Sequence, residues 1–279
     1  MPEVTVAVVQ MQPDLGELPN NLVKMSDFIS QINAQHAVDL IVFPELATTG
    51  AELGLKFTEV AERVPGPTVN LMATRAQEYG IYIAFGMVTK EKVESILYNS
   101  AVLIGPDGDV VGQYDKLHLR GEERMAFREG LKFPVFETGD IGNIGLMLGW
   151  DLAYPEAARS LALDGAEIIC PMGNWELDEI DEWNVYIRAR AYENTAFIAA
   201  ANRVGEDVTL TFGGGSAIVG PRGIVYASAD DQDEQADEGP IEGYAIATIE
   251  LNDIRYAREK YQTFQTRQPG SYRSLVKKY

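Results

Sequence analysis

Three short segments carry side chains that could cooperate in chemistry. Glu45 ends the run Leu40-Ile41-Val42-Phe43-Pro44. A carboxylate at the end of a buried apolar strand stands where α/β folds collect their active sites. Partial burial there would raise its pKa and suit it to accept a proton; without burial it is a solvated glutamate opening a loop. Lys116 closes the hairpin strand Gln113-Tyr114-Asp115 and precedes the apolar Leu117. A fixed ammonium at that place can donate to a developing oxyanion, or it is an ordinary surface lysine. The third segment, Gly149-Trp150-Asp151-Leu152-Ala153-Tyr154-Pro155-Glu156, joins an apolar strand to a helix. It has the form of a tight elbow, which can present a nucleophile and turn a backbone N–H toward a substrate. The N–H of Trp150 is then the natural companion of Lys116 at an oxyanion. Taken alone, Gly149 reads as a glycine that permits the turn. His118, one of only two histidines, reads as structural.

These segments need elements to position them. Residues 4–10 alternate and are β-branched, so they read as a strand. Residues 20–34 space Leu22, Met25, Phe28, Ile29 and Ile32 as a helix, and residues 39–43 form a continuous apolar run of the kind found in a strand buried on both faces. A helix over 68–79 and a strand over 81–88 follow. Ser100 to Val111 reads as two strands around the turn Pro106-Asp107-Gly108. Ser216 to Val225 repeats the same order: Ser-Ala, an apolar run, Gly-Pro-x-Gly, an apolar run. Between them, residues 143–148, 167–170 and 197–201 read as strands and residues 155–163 and 182–195 as helices. Alternation of this kind predicts an α/β protein with buried sheets. The repeated hairpin suggests two similar sheets, unless two turn-rich hairpins match by chance.

The order of these pieces resembles the carbon–nitrogen hydrolase (nitrilase) superfamily. The resemblance rests on Glu45 after its apolar strand, Lys116-Leu117-His118-Leu119, Glu123, the 149–156 segment, Gly165-Ala166-Glu167-Ile168-Ile169 with Pro171, and Asn174-Trp175. It covers nearly the whole chain. It implies a four-layer α-β-β-α sandwich that dimerises through its helices, and a Glu–Lys–Cys triad with a second glutamate. Glu123 precedes an aromatic by four residues and a glycine by seven, as the second glutamate of that family does; its neighbour Glu122 is the competitor. The cysteine of the family directly precedes the aromatic-Asp pair, and here that position is Gly149. The resemblance therefore implies Glu45 as base, Lys116 as oxyanion donor, Glu123 as their companion, and no nucleophile. Trp150, Tyr154, Asn174, Trp175 and Glu176 are the expected substrate-binding residues. Asp151 implies amide rather than nitrile hydrolysis, and Ala153 offers no guanidinium for an acidic amide. No metal and no organic cofactor is expected.

The expected function is hydrolysis of a small carboxylic amide to acid and ammonia, abolished or nearly so by Gly149. Retention of the surrounding acids and lysine fits an amidase whose nucleophile was substituted away. The alternatives are a natural non-catalytic relative that binds a metabolite or protein partner, and an N-carbamoyl amide hydrolase. Metal-dependent phosphoesterases of similar layout need several histidine ligands, and His36 and His118 are too few. Gly213-Gly214-Gly215-Ser216 lacks the Ser-x-Ser or Gly-x-Ser-x-Gly company of a serine site.

Bulk properties narrow the partners. The chain of 279 residues carries a net charge of −19, a field that repels nucleic acid and anionic membrane. No apolar run is long enough to span a bilayer. A single cysteine, Cys170, excludes an internal disulfide, fits a reducing cytoplasm and reads as a packed core thiol. The acidic run from Asp230 to Glu238 reads as a solvated loop. No linker divides the sequence, so residues 1–279 read as one domain. Residues 262–279 read as an irregular tail at the interface of a homodimer or higher even oligomer.

Overall fold

The computed structural model describes residues 3–92, 96–230 and 240–277. Its first half runs β1 (Glu3–Gln10), α1 (Leu18–Gln35), β2 (Leu40–Val42), the short α2 (Phe57–Val60), α3 (Pro67–Tyr79), β3 (Tyr82–Lys90), β4 (Leu97–Ile104) and β5 (Val110–Asp115). The one-turn α4 (Glu123–Ala126) leads to β6 (Val135–Phe136), β7 (Ile144–Leu148), α5 (Pro155–Leu163), β8 (Ile168–Gly173), α6 (Ile180–Asn194) and β9 (Phe197–Asn202). A small hairpin of β10 (Val204–Glu206) and β11 (Thr211–Gly213) precedes β12 (Ala217–Val219) and β13 (Val225–Ser228). Then β14 (Gly243–Glu250) and α7 (Asn252–Tyr261) follow.

The strands form two six-stranded sheets, in the orders β14-β1-β2-β3-β4-β5 and β13-β12-β9-β8-β7-β6. Each has three parallel strands at its centre, β1-β2-β3 and β7-β8-β9, continued by an antiparallel hairpin. The two echoing hairpins of the sequence are β4–β5 and β12–β13. Each shifts register just before its Gly-Pro turn, between Leu103 and Ile104 and between Ile218 and Val219.

Alternation along the strands explains the layering. On β1, Val4, Val6 and Val8 pack with Leu146, Leu148, Cys170 and Met172 of the other sheet. Ala7 and Val9 face the opposite way, toward Met25, Ile29 and Ile32 of α1 and Met72 of α3. Met147, Ile169 and Ile198 on the second sheet meet Leu161 of α5 and Ile187 of α6. The result is the expected α-β-β-α sandwich. Prolines in the first turn of α1, α3 and α5 pre-set the helical φ where no backbone donor is lost.

Some boundaries differ from the expected ones for physical reasons. The strand expected over 167–170 runs to Gly173, and its pairing with β9 lapses at Cys170 and Pro171 before resuming at Met172. A proline has no N–H to give a ladder. The sequence reading does not single out β14, which pairs antiparallel with β1 along eight residues, or α7. Cys170 is fully buried between the sheets, and burial pushes its thiol well up. Beyond α7, residues 262–277 form only short turns and are mostly exposed, with Phe264 against Arg159 and Arg258. Of the acidic run, Asp230 is described and accepts from Gln10, while residues 231–238 lie outside the described residues. No described helix is long and apolar enough to cross a membrane.

One buried ion pair ties the loop after Glu45 to the β10–β11 hairpin. The Arg203 guanidinium meets both Asp207 oxygens at 2.9 Å, with neither side chain exposed. Asp207 also accepts from the N–H of Ala51 at 2.7 Å. Removing one member of a buried pair leaves the other charge uncompensated. Asp207→Ala should therefore lower the unfolding free energy in urea by about 3–5 kcal/mol. The double variant Arg203→Met with Asp207→Ala should lose less than the single one.

Candidate active site

Glu45 leaves β2 through Pro44, and the next turn is pinned to β3. Phe43 donates its N–H to the carbonyl of Ala84, and Gly86 donates to that of Pro44. The contact requires glycine at 86: a Cβ there would stand 2.5 Å from the nitrogen of Leu46 and 2.6 Å from the Cα of Glu45. Close approach of two backbones is one of the uses of glycine. Glu45 is thereby held in the interior, only 2% exposed.

Lys116 comes from the other side of the same sheet, just past β5, with its N–H bonded to the carbonyl of Asn99 on β4. Its ammonium is buried and donates to Glu45 Oε1 at 2.8 Å and to Glu123 at 2.7 and 2.9 Å. Asn99 completes the cluster, its Nδ2 donating to Glu45 at 2.7 Å and to Glu123 at 3.1 Å. Glu123, at the start of α4, is the glutamate that joins Lys116, whereas Glu122 is exposed.

Charge balance explains the electrostatics. Two carboxylates share one buried ammonium, so the fully ionised cluster carries a net negative charge in a poorly solvated place. Burial pushes the Glu45 carboxyl up to about 7, with the Glu123 charge adding to the rise and Lys116 and Asn99 opposing it. For Lys116, burial alone would lower the pKa, but the two glutamates hold it above its ordinary range. A carboxyl that titrates near neutrality beside a fixed ammonium can move a proton at physiological pH.

The elbow brings the second sheet to this cluster. Gly149 follows β7 with φ of +41°, in the left-handed region that favours glycine. A Cβ on residue 149 would stand 2.5 Å from Glu45 Oε2 and 2.9 Å from Lys116 Nζ. Any side chain there must touch both groups and displace them slightly. Glu45, Lys116, Glu123 and residue 149 thus meet at one point, from three distant segments of the chain.

The other expected residues form a neighbouring group. Trp150 stacks on Trp175 with centroids 5.6 Å apart, and the Arg120 guanidinium lies 4.3 Å from the Trp150 ring. Arg120 is paired in turn with both oxygens of Glu179. Trp175 is buried, and among the described residues its indole N–H has no partner, nor has the buried side-chain oxygen of Asn174. Glu176 is partly buried, and burial followed by Glu179 and Asp178 raises its pKa. Tyr154 turns to His118, stacking at 3.8 Å. Among the described residues, no hydrogen bond joins Trp150, Tyr154, Asn174, Trp175 or Glu176 to the Glu45–Lys116–Glu123 cluster.

Two groups escape the sequence reading. Asn99 shows no motif, although an Asn inside an otherwise apolar strand is a signal in itself. Asp151, read only as a marker of amide chemistry, is fully buried and accepts four hydrogen bonds. Two surface depressions, of about 230 and 680 Å³, are lined by neither Glu45, Lys116 nor Gly149. Among the described residues, no three His, Cys, Asp or Glu side chains gather as metal ligands.

The family model of carbon-nitrogen hydrolases matches residues 5–259. The chain belongs to the carbon-nitrogen hydrolase family. It is 39% identical to a probable nitrilase of Schizosaccharomyces pombe, over 98% of this chain and 99% of the relative. It is 29% identical to a 2-oxoglutaramate amidase of Bacillus subtilis, over 93% and 96% of the two chains. Among solved structures, a carbon-nitrogen hydrolase from Helicobacter pylori superimposes with a TM-score of 0.86 at 25% identity, covering 99% of each chain. The sandwich described above is the fold of this family.

The Glu45 proton has a measurable consequence for stability. Its folded pKa lies above its unfolded value, so its contribution is fully present below the unfolded value of 4.5 and is lost as pH rises toward about 7. Glu45→Gln cannot ionise. Urea unfolding should show the parent losing stability relative to Glu45→Gln across that window, and a constant difference would contradict the buried, proton-holding carboxyl.

Proposed function

We propose that this chain is built for amide hydrolysis by acyl transfer and that Gly149 stands where the nucleophile belongs. The observation that carries the reading is the position of residue 149, whose Cβ would contact both the Glu45 carboxylate and the Lys116 ammonium. A thiol at that place would lie beside its base and beside its oxyanion donor. Glu45 would take the thiol proton, and the sulfur would attack the amide carbonyl. Lys116 and the Trp150 N–H would stabilise the tetrahedral oxyanion. The C–N bond would then break, and the amide nitrogen would leave as ammonia with the proton returned by Glu45. Water deprotonated by Glu45 would then release the acid. Glu123, bonded to Lys116 through both oxygens, would keep the ammonium in place.

With Gly149 that route is closed. Loss of a covalent nucleophile costs on the order of 10⁶ in turnover in the subtilisin series, leaving positioning and oxyanion effects. Cys170 cannot substitute, being fully buried between the sheets. Support for an amide rather than a nitrile comes from Asp151 and from the amidase among the relatives, although another relative bears the name nitrilase. Ala153 provides no guanidinium, and Arg120 is engaged by Glu179. The stacked Trp150 and Trp175 with Glu176 beside them favour a small amide bearing an apolar or cationic group.

A second reading, a non-catalytic relative that binds a metabolite or protein, is favoured by the fit of Gly149 itself. Its φ suits glycine, and the Glu45 and Lys116 side chains close over it.

Ammonia release from aliphatic, aromatic and amino-acid amides, and from matched nitriles, separates the two. Gly149→Cys should hydrolyse at least one class of amide several orders of magnitude faster than the parent. Silence of both proteins across the panel would favour the binding reading.

A further inference from the structure

Asp151 lies two residues after Gly149, and its side chain both caps the elbow and reaches the residues around Lys116. It is fully buried. Oδ2 accepts from the N–H of Leu148 at 3.1 Å and from the Tyr114 hydroxyl at 2.5 Å. Oδ1 accepts from the N–H of His118 at 3.0 Å and lies 2.8 Å from His118 Nδ1. A carboxylate is an acceptor only, so that ring nitrogen is the one bearing the proton. All the lone-pair directions facing the protein are therefore used.

The origin of these donors is the informative point. Leu148 immediately precedes Gly149, at the end of β7 in the second sheet. Tyr114 and His118 flank Lys116, at the edge of the first. Tyr114 is itself buried, and its oxygen accepts from the N–H of Leu117 at 3.2 Å. Elsewhere the sheets meet through apolar packing, which resists separation but is weakly directional, and through Gln10 of β1, whose Oε1 accepts from the N–H of Ser216 and whose Nε2 donates to Asp230, among residues that hold neither Lys116 nor Gly149. Hydrogen bonds to a charged acceptor are directional and short.

We propose that Asp151 is a positioning residue that sets the separation between residue 149 and the Lys116 ammonium. The proposal rests on the reading of residue 149 as the nucleophile's place. Glu45, Asn99, Glu123 and Lys116 all belong to the first sheet and its loops and arrange one another without Asp151. Residue 149 belongs to the second. The Asp151 carboxylate bonds to both sides: to Leu148, next to residue 149, and to Tyr114 and His118, on either flank of Lys116.

The test uses the full chain carrying Gly149→Cys, alone and combined with Asp151→Asn or Tyr114→Phe. The readout is the pH profile of alkylation of the introduced thiol by iodoacetamide, with the labelled peptide identified by mass to separate it from Cys170. The introduced thiol would face the Lys116 ammonium, which favours the thiolate, and the Glu45 carboxyl, which burial keeps protonated up to about pH 7 so that it adds no opposing charge below it; a free thiol has a pKa of about 8.5. Gly149→Cys should therefore titrate below that value. Asp151→Asn turns one acceptor into a donor facing donors, and should move the midpoint upward by about one unit or more, a tenfold loss of rate at neutral pH. Tyr114→Phe removes one bond of four and should move it less, in the same direction. An unchanged midpoint in a folded Asp151→Asn protein overturns the proposal, since a role in stability alone would leave the thiol where it was. If Asp151→Asn does not fold, Tyr114→Phe decides, and an unchanged midpoint there overturns it as well. A Gly149→Cys thiol that titrates as a free one has a different meaning: it overturns the reading of the site, and the positioning role with it.

Discussion

One buried lysine facing two glutamates is the constraint on which the rest of this molecule depends. An ammonium removed from water is tolerated only when carboxylates surround it, and a second carboxylate is tolerated only when it can hold a proton. Lys116, Glu123 and Glu45 meet both conditions. The fold supplies what they need. Gly86 lets the Glu45 turn press against β3, Asn99 donates to both acids, and α4 places Glu123 over the ammonium. Replacing a buried ion cluster by apolar side chains of the same volume is often neutral or stabilising. Retention of this cluster is understandable as a site rather than as a staple.

The two sheets divide the labour. The first holds the two glutamates and the lysine; the second offers one backbone turn. That turn has positive φ at Gly149 and a carboxylate, Asp151, reaching back across the sandwich. The similar topology of the sheets brings their strand ends together, since each feeds its loops to the carboxyl ends of its central parallel strands. At the meeting point of the two sheets this chain has no side chain, since residue 149 is glycine.

Much of this was legible in the residues. The apolar run before Glu45, the echoing Gly-Pro hairpins and the alternation of helix and strand specify the sandwich because burial period and turn chemistry are local properties. Glu123 was separable from Glu122 through the aromatic and glycine that follow it, and only Glu123 reaches Lys116. Asn99 and the bridging role of Asp151 were not legible. Both act through partners more than twenty residues away, across strands whose register the sequence does not declare. Strand β8 running through Pro171 escaped for the opposite reason: a local rule against proline was overridden by parallel neighbours on both sides.

The central claim is that residue 149 is where an acyl group would be carried. Gly149→Cys mixed with a hydrolysable amide, quenched in acid and digested for mass spectrometry, tests it most directly. The account predicts a transient mass gain equal to the amide less ammonia, on the peptide that contains residue 149. Label confined to the Lys116 or Cys170 peptide, or turnover with no adduct at residue 149 at any quench time, would contradict it.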